Sequence, residues 1–295
     1  MTAAFLILLR EGIEASLIVA ILLAALERMG RRDRFKDVFA GVASALVLVA
    51  AGGTAAYLTI RDYAGSRVQT IFEMFTYLAA TAILTYMTFW MRSHARHISS
   101  ELGARAKAAL DGRARLGLSL LAFQAVGREG LETVVFMLAL VFATSAKGAL
   151  LGAALGFVAS MGVAVAMYHL GKKLNLSLYF KVLGAALMVF AAGLLADAVE
   201  DLQQLGWLHI LRHPLWDTSH LLSEESSLGD ILHSFFGYAA RPSVGQVLVY
   251  CIYLLASLLA YLVPSLLRRR PRIEPTRAAE VLAAPQPTAG EPVQG

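Results

Sequence analysis

Of 295 residues, 58% are hydrophobic and 16% are charged, and the mean hydropathy is +0.63; a chain this apolar is excluded from the ordinary soluble domains and reads as an integral membrane protein. The net charge of +5 does not call for nucleic acid, because the basic residues sit in short runs between apolar stretches, where they set topology and touch anionic lipid. The single cysteine, Cys251, excludes both a disulfide framework and a cysteine-based metal site.

A bilayer is spanned by roughly 20 apolar residues in a helix. Stretches of this kind occur near 3–26, 38–60, 71–91, 117–143, 148–170, 180–199 and 246–267, so seven transmembrane helices are expected. The first has no basic leader and is interrupted by Arg10, Glu11 and Glu14, which marks an uncleaved span rather than a signal peptide. Arg28, Arg31, Arg32, Arg34 and Lys36 follow the first span, and Arg92, Arg96, Arg105, Lys107, Arg113 and Arg115 follow the third. Lys172 and Lys173 follow the fifth, and Arg268, Arg269, Arg270 and Arg272 follow the seventh. With seven spans these runs share one side, which the positive-inside rule makes cytoplasmic. The expectation is a multi-pass protein of the cytoplasmic (inner) membrane with its N-terminus outside and its C-terminus inside.

Residues 201–245 then form an outer loop carrying His209, His213, Asp217, His220, Glu224, Glu225, Asp230 and His233. Its aromatic residues, Trp207, Trp216, Phe235, Phe236 and Tyr238, predict short amphipathic helices at the interface. Residues 268–295, rich in Pro and Ala from 271 onward, predict a disordered cytoplasmic tail.

The triplet of the first span recurs. "REGIE" holds Arg10, Glu11 and Glu14, and "REGLE" in the fourth span holds Arg128, Glu129 and Glu132 in the same order and spacing. The next spans correspond as well: "AGVASALV" near Gly41 resembles "LGAALGFV" near Gly152, and Tyr57 lies as far beyond Gly41 as Tyr168 lies beyond Gly152. Residues from about 1–95 and from about 116–200 therefore read as two copies of a three-helix unit. An odd number of spans per unit makes the copies inverted, a plan shared by many transporters whose site lies at the repeat interface near the midplane. The fold class expected is an all-α polytopic membrane protein, two inverted three-helix repeats plus one additional helix at 246–267, together a transmembrane domain over 1–267.

At about 100° per residue, Arg10, Glu11 and Glu14 share one helix face, with Arg10 and Glu14 an i,i+4 pair; Arg128, Glu129 and Glu132 repeat this. Three charges near a span centre cost roughly 8–10 kcal/mol on insertion scales, so the triplets must face a partner, a cavity or each other. Gly12 and Gly130 point away from the charged faces and permit close packing behind them. Four carboxylates and two guanidiniums, all ionised, leave an excess of negative charge suited to a cation, and carboxylate oxygens favour hard cations. A buried ion pair that fixes helix register is the alternative reading of one copy; the doubling in an inverted repeat favours a site. Among lesser candidates, Glu73 reads as interfacial or as lining the outer mouth, and Gln124 as a hydrogen-bonding neighbour of the triplet or ordinary interhelical glue. His169 reads as an interfacial histidine, and the outer histidines show no compelling ligand spacing.

These stretches, with "LWDTSHLLSE" and "GYAARPS" before the last span, make residues 1–267 resemble the high-affinity iron permease family: the oxidase-dependent iron permeases of fungi and bacterial EfeU-type permeases. The resemblance implies that Glu11, Glu14, Glu129 and Glu132 bind iron in transit, with Arg10 and Arg128 in support. Fungal members carry an outer D-x-x-E motif, loosely matched by Asp197 and Glu200 in "DAVED", with Val199 where that motif has serine; a solvated helix end is the alternative there. It further implies iron as transported substrate rather than cofactor, a lipid environment, and a separate oxidase or periplasmic iron-delivery protein in some members. Lead, manganese or another divalent metal is an alternative cargo. An intramembrane di-iron oxidase would ordinarily use Glu-x-x-His on two helices, whereas both motifs here are Glu-x-x-Glu; an enzyme is not expected. A sensor or assembly subunit is the remaining alternative.

Overall fold

A computed structural model describes residues 1–94, 98–111, 116–143, 146–170, 176–223 and 226–267. The expected tail at 268–295 and the residues Arg96, Arg113, Arg115, Lys172, Lys173, Glu224 and Glu225 lie outside the described residues. Residues 1–258 form one compact unit, and 259–267 are the last turns of a helix. The described regular structure is helical, apart from one isolated bridge between Pro214 and Ser243. In chain order the helices are α1 (Thr2–Arg28), α2 (Phe35–Arg61), α3 (Arg67–His94), α4 (Ile98–Asp111), α5 (Gly117–Ala143), α6 (Ala146–Leu170), α7 (Leu176–Gln204), α8 (Ser227–Phe236) and α9 (Val244–Leu267).

Among the described residues, five segments are long and apolar enough to cross a membrane: Arg32–Arg61, Arg67–Met91, Ala146–Val163, Val182–Gln204 and Val244–Tyr261. Helices α1 and α5 are as long, at 27 residues each. Every 18-residue stretch of either contains three or more charged residues, because the triplet lies centrally in both. Such helices cannot face lipid on all sides, and both are packed among the others: α1 against α6 and α5, α5 against α2, α1 and α3. The remaining major pairing is α3 with α7.

Small residues decide how closely these helices approach. A Cβ on Gly12 would strike Ser160, and one on Gly130 would strike Val49. A Cβ on Gly41 would strike the backbone of Ser119 beside Ala122, and one on Gly152 the backbone of Met1 beside Ala4. These contacts come in matched sets. Gly12 precedes Gly130 by 118 positions, as Met1 precedes Ser119 and Ala4 precedes Ala122; Gly41 precedes Gly152 by 111, as Val49 precedes Ser160. Each of these contacts of α1 with α6 thus has a counterpart between α5 and α2.

The order of the contacts also gives direction. Along α6, Gly152, Gly156 and Ser160 meet Met1, then Phe5 to Leu9, then Gly12, so α1 and α6 run parallel. By the same reasoning Gly41, Val49 and Gly53 meet Ser119, Gly130 and Val134, and α2 runs parallel to α5. Helices α1 and α5 run oppositely: Ala3, Ala4 and Ile7 cluster with Phe136, Ala139 and Leu140, whereas Leu22 and Leu26 cluster with Leu118 and Ala122.

Two features depart from the sequence expectation. The connection after α3 contains α4, whose Leu102 and Ala106 pack on Leu22, Leu26 and Leu118; an amphipathic helix among basic residues had read as a loop. In the outer segment α8 is the one separate helix among the described residues. It is capped by Ser226 Oγ, which accepts from Gly229 N, and it ends at Gly237 in the left-handed region (φ 66°). Gly237 lies so close to Gly193 of α7 that neither position has room for a Cβ. Phe235 joins the main apolar cluster, and α8 packs on α7, α1 and α5. Packing of Phe235 against the bundle contributes to holding α8, while Leu228, Ile231 and Phe236 remain exposed. The rest of the segment is irregular and tied down by Leu215 N donating to Pro242 O, Thr218 N donating to Ala240 O, and an Asp217–Arg241 ion pair at 2.5 Å.

Candidate metal site in the helix core

The antiparallel packing of α1 against α5 brings the two triplets together. Both place their charges on the inward face, because the outward faces are spent on the glycine contacts with α6 and α2. One oxygen from each of Glu11, Glu14 and Glu129 lies within 4.8 Å of the others. All three residues are buried, with relative exposures of 3%, 5% and 7%. Glu132 is buried as well; its Oε1 receives Arg128 Nε at 3.0 Å, and it stands outside the group of three.

The two arginines differ in surroundings. Arg10 pairs with both glutamates of its own triplet, Nε to Glu14 Oε1 at 2.9 Å and Nη1 to Glu11 Oε1 at 3.3 Å, and its side chain is 4% exposed. Arg128 pairs with Glu132 alone among the described residues and its side chain is 46% exposed. Its Nη2 donates to Met87 Sδ at 3.2 Å, and its guanidinium carbon lies 5.2 Å from the centroid of the Trp90 ring.

The carboxylates are not internally satisfied. Glu11 Oε2, Glu129 Oε2, Glu132 Oε2 and Arg10 Nη2 are buried with no hydrogen-bond partner among the described residues, while Glu14 Oε1 is held by its ion pair with Arg10 Nε. A buried polar atom without a partner costs about 1–3 kcal/mol, and four at one place mark a feature the fold alone does not require. Three carboxylates against one guanidinium leave a net negative charge, and converging oxygens are the donor set of a hard or borderline cation.

The other sequence candidates fall elsewhere. Glu73 is half-buried and accepts from Gln69 Nε2 at 2.6 Å. Glu200 accepts from Gln204 at 3.2 Å and from Gln246 of α9 at 2.8 Å, while Asp197 beside it is half-buried. Asp201, which sequence reasoning passed over within "DAVED", is buried with Oδ2 unpartnered and interacts electrostatically with Glu73, Asp197 and Glu200. Gln124 is exposed and makes no hydrogen bond to the triplets among the described residues. His209, His213 and His220 are exposed, and His233 Nδ1 is bound to Tyr238 O at 2.8 Å. No histidine joins a metal-compatible group among the described residues, and the side chain of His169 lies outside them. Met87 and Trp90 were missed for a plain reason: a methionine and a tryptophan in an apolar span carry no signal apart from ordinary packing.

Long apolar helices packed around a buried cluster of carboxylates define a polytopic membrane protein. The chain belongs to the iron permease FTR1 family, whose profile matches residues 1–271. It is 37% identical over 262 residues to the ferrous iron permease EfeU of Yersinia pestis, covering 88% of this chain and 93% of that protein. It is 34% identical over 262 residues to the ferrous iron permease EfeU of Escherichia coli O6:K15:H31, covering 88% and 95%. The Shigella sonnei protein of the same name matches at 34%. These relatives are named as permeases, transporters rather than enzymes, and the family resemblance read from the two REGxE stretches is borne out. No solved structure matches the chain.

Proposed function

We propose that this chain imports iron ions across the cytoplasmic membrane through the Glu11–Glu14–Glu129 site, with Glu132 as a fourth carboxylate and Arg10 and Arg128 as the counter-charges that organise it. The observation that carries the reading is the convergence, from two antiparallel helices, of three buried carboxylates that the single buried guanidinium of Arg10 leaves under-compensated. Iron as cargo follows from the family and from the printed function of its relatives. Oxygen donors without sulfur or imidazole accept the hard Fe3+ and, more weakly, the borderline Fe2+, and the names of the relatives favour the ferrous ion.

The transport architecture we infer is seven membrane-spanning helices, with α1 to α3 and α5 to α7 as inverted repeats and α9 outside the duplication. The matched contacts of α1 with α6 and of α5 with α2, together with the opposite directions of α1 and α5, support it. The site then lies at the repeat interface, where alternating access operates in such folds. An inside-negative potential favours entry by about 2.3 kcal/mol per charge per 100 mV, so inward movement of a divalent ion has a driving force without a nucleotide. Glu73, Asp197 and Glu200, with Asp201, stand at the outer mouth in this arrangement, on the same side as residues 201–245. An oxidising or iron-delivering partner would dock on that side.

The test is uptake of radioiron by proteoliposomes containing this chain alone under an inside-negative potential, with Fe2+ kept reduced and Mn2+ or Pb2+ as competitors. Saturable uptake, lost in Glu129→Gln and resistant to an equal concentration of Mn2+ or Pb2+, is expected. Uptake of Mn2+ or Pb2+ in preference to iron would replace the cargo, and no uptake of any metal would reject the reading. Sidedness is checked by labelling of cysteines introduced as Ser223→Cys and Ser93→Cys in a Cys251→Ser background. Opposite sides are expected.

A further inference from the structure

The two triplets are equal in sequence and unequal in space. Arg10 engages both carboxylates of its triplet, Glu11 and Glu14. Arg128 engages only the second of its own, Glu132, and among the described residues has no ion pair with Glu129. The difference traces to α3. Met87, 1% exposed, accepts from Arg128 Nη2 through its sulfur, and the Trp90 ring faces the guanidinium. Among the described residues nothing equivalent holds Arg10, whose Nη2 has no hydrogen-bond partner there. One end of the Arg128 fork is therefore drawn to α3 while Nε stays on Glu132, and Glu129 is left to join Glu11 and Glu14.

We propose that Met87 and Trp90 are positioning residues of the metal site: by holding the Arg128 guanidinium toward α3, they keep it from capturing Glu129 and so maintain Glu129 as the third carboxylate available to the ion. The inference rests on the proposed iron-permease reading and adds to it a role for α3, the helix that otherwise packs on α7. A guanidinium that bridged both Glu129 and Glu132 would add a second fixed positive charge at the cluster, where Arg10 already stands against Glu11 and Glu14, and would leave no carboxylate of the three free of an arginine. Planar, multi-donor geometry makes that bridging the default for an arginine next to two carboxylates. Thioether and aromatic partners are well suited to oppose it, because a sulfur acceptor and a ring face attract the cation without competing for the metal as a carboxylate would.

The experiment compares wild type with Met87→Leu, Trp90→Leu and the double variant. It measures Fe2+ affinity of the purified protein by anaerobic calorimetry, and KM and maximal rate of Fe2+ uptake in proteoliposomes. Leucine conserves volume at position 87 while removing the acceptor. Losing one carboxylate from a three-carboxylate site is expected to weaken Fe2+ binding and raise KM by about tenfold or more, with a smaller effect on maximal rate. Trp90→Phe, which keeps a ring face, is expected to restore most of the affinity. In an Arg128→Gln background the Met87→Leu and Trp90→Leu changes are expected to leave Fe2+ affinity unaltered, since no guanidinium remains to misplace. Unchanged affinity in the double variant, an equal loss in the Arg128→Gln background, or failure of Trp90→Phe to rescue while its thermal stability is normal would each overturn the proposal. Binding is read separately from transport, so a wild-type protein that binds but does not carry iron rejects the permease reading while the affinity series still decides the role of α3.

Discussion

Replacing each motif arginine by alanine perturbs two environments that the repeat would make identical. Arg10→Ala removes the counter-charge from two carboxylates, 2.9 and 3.3 Å away, in a place where the arginine side chain is 4% exposed. Breaking a buried pair by deleting one partner costs about 3–5 kcal/mol, because the remaining charge has neither water nor a counter-ion. Arg128→Ala removes one ion pair at 3.0 Å from a side chain that is 46% exposed. A pair open to solvent contributes roughly 0.2–1 kcal/mol, and the Trp90 contact adds about 0.5–1 kcal/mol, giving about 1–2 kcal/mol together. At about 2–4 °C per kcal/mol for a chain of this size, thermal denaturation in detergent is expected to fall by roughly 6–20 °C for Arg10→Ala and by roughly 2–8 °C for Arg128→Ala. Raising the salt concentration should narrow the Arg128 effect and leave the Arg10 effect nearly intact. Equal shifts for the two variants, or a larger one at Arg128, would refute the argument from burial. Lysine should serve poorly at position 10, because one ammonium cannot reproduce two separate nitrogens directed at Glu11 and Glu14.

Three further outcomes are expected. Glu11→Gln and Glu129→Gln should each abolish or severely reduce iron uptake while protein remains in the membrane, and the double change should be little worse than either, since one shared site cannot be lost twice; losses that multiply would indicate independent sites. Gly152→Val should separate the N-terminal end of α1 from α6, because even a Cβ at Gly152 collides with the backbone of Met1, and Gly41→Val should do the same to α2 and α5; a drop in thermal stability for both, and none for Gly52→Val, which has open space, is the check. Asp217 is held below the ordinary carboxylate value of 3.8 by its hydrogen bonds from Arg241 and Ser219, so its hold on the outer segment is complete above that pH and is lost only as pH falls through the depressed value. Limited proteolysis between Trp207 and Ser223 should therefore be insensitive to pH from 5 to 8 and increase in Asp217→Asn at neutral pH; protection unchanged by that substitution would dissociate the ion pair from the order of the segment.

Sequence alone determined the elements that depend on length, composition and helical period. Runs of about 20 apolar residues have no stable alternative to helix in lipid, so α2, α3, α6, α7 and α9 were legible. The period of 3.6 residues puts Arg10, Glu11 and Glu14 on one face whatever surrounds them, and the glycine behind each triplet announced a close helix contact without naming its partner. Tertiary structure decided which groups meet. That Glu129 rather than Glu132 joins Glu11 and Glu14 depends on Met87 and Trp90, some forty residues away in sequence, whose side chains are indistinguishable from core until Arg128 is seen against them. The same holds for α4, whose short apolar stripe has meaning only against Leu22 and Leu118, and for α8, held in the bundle by the close passage of Gly237 over Gly193. A local pattern fixes a residue's face and charge; the energy of a buried charge is set by what stands within a few ångströms of it in space, and two identical REGxE motifs acquire different chemistry because different helices pass beside them.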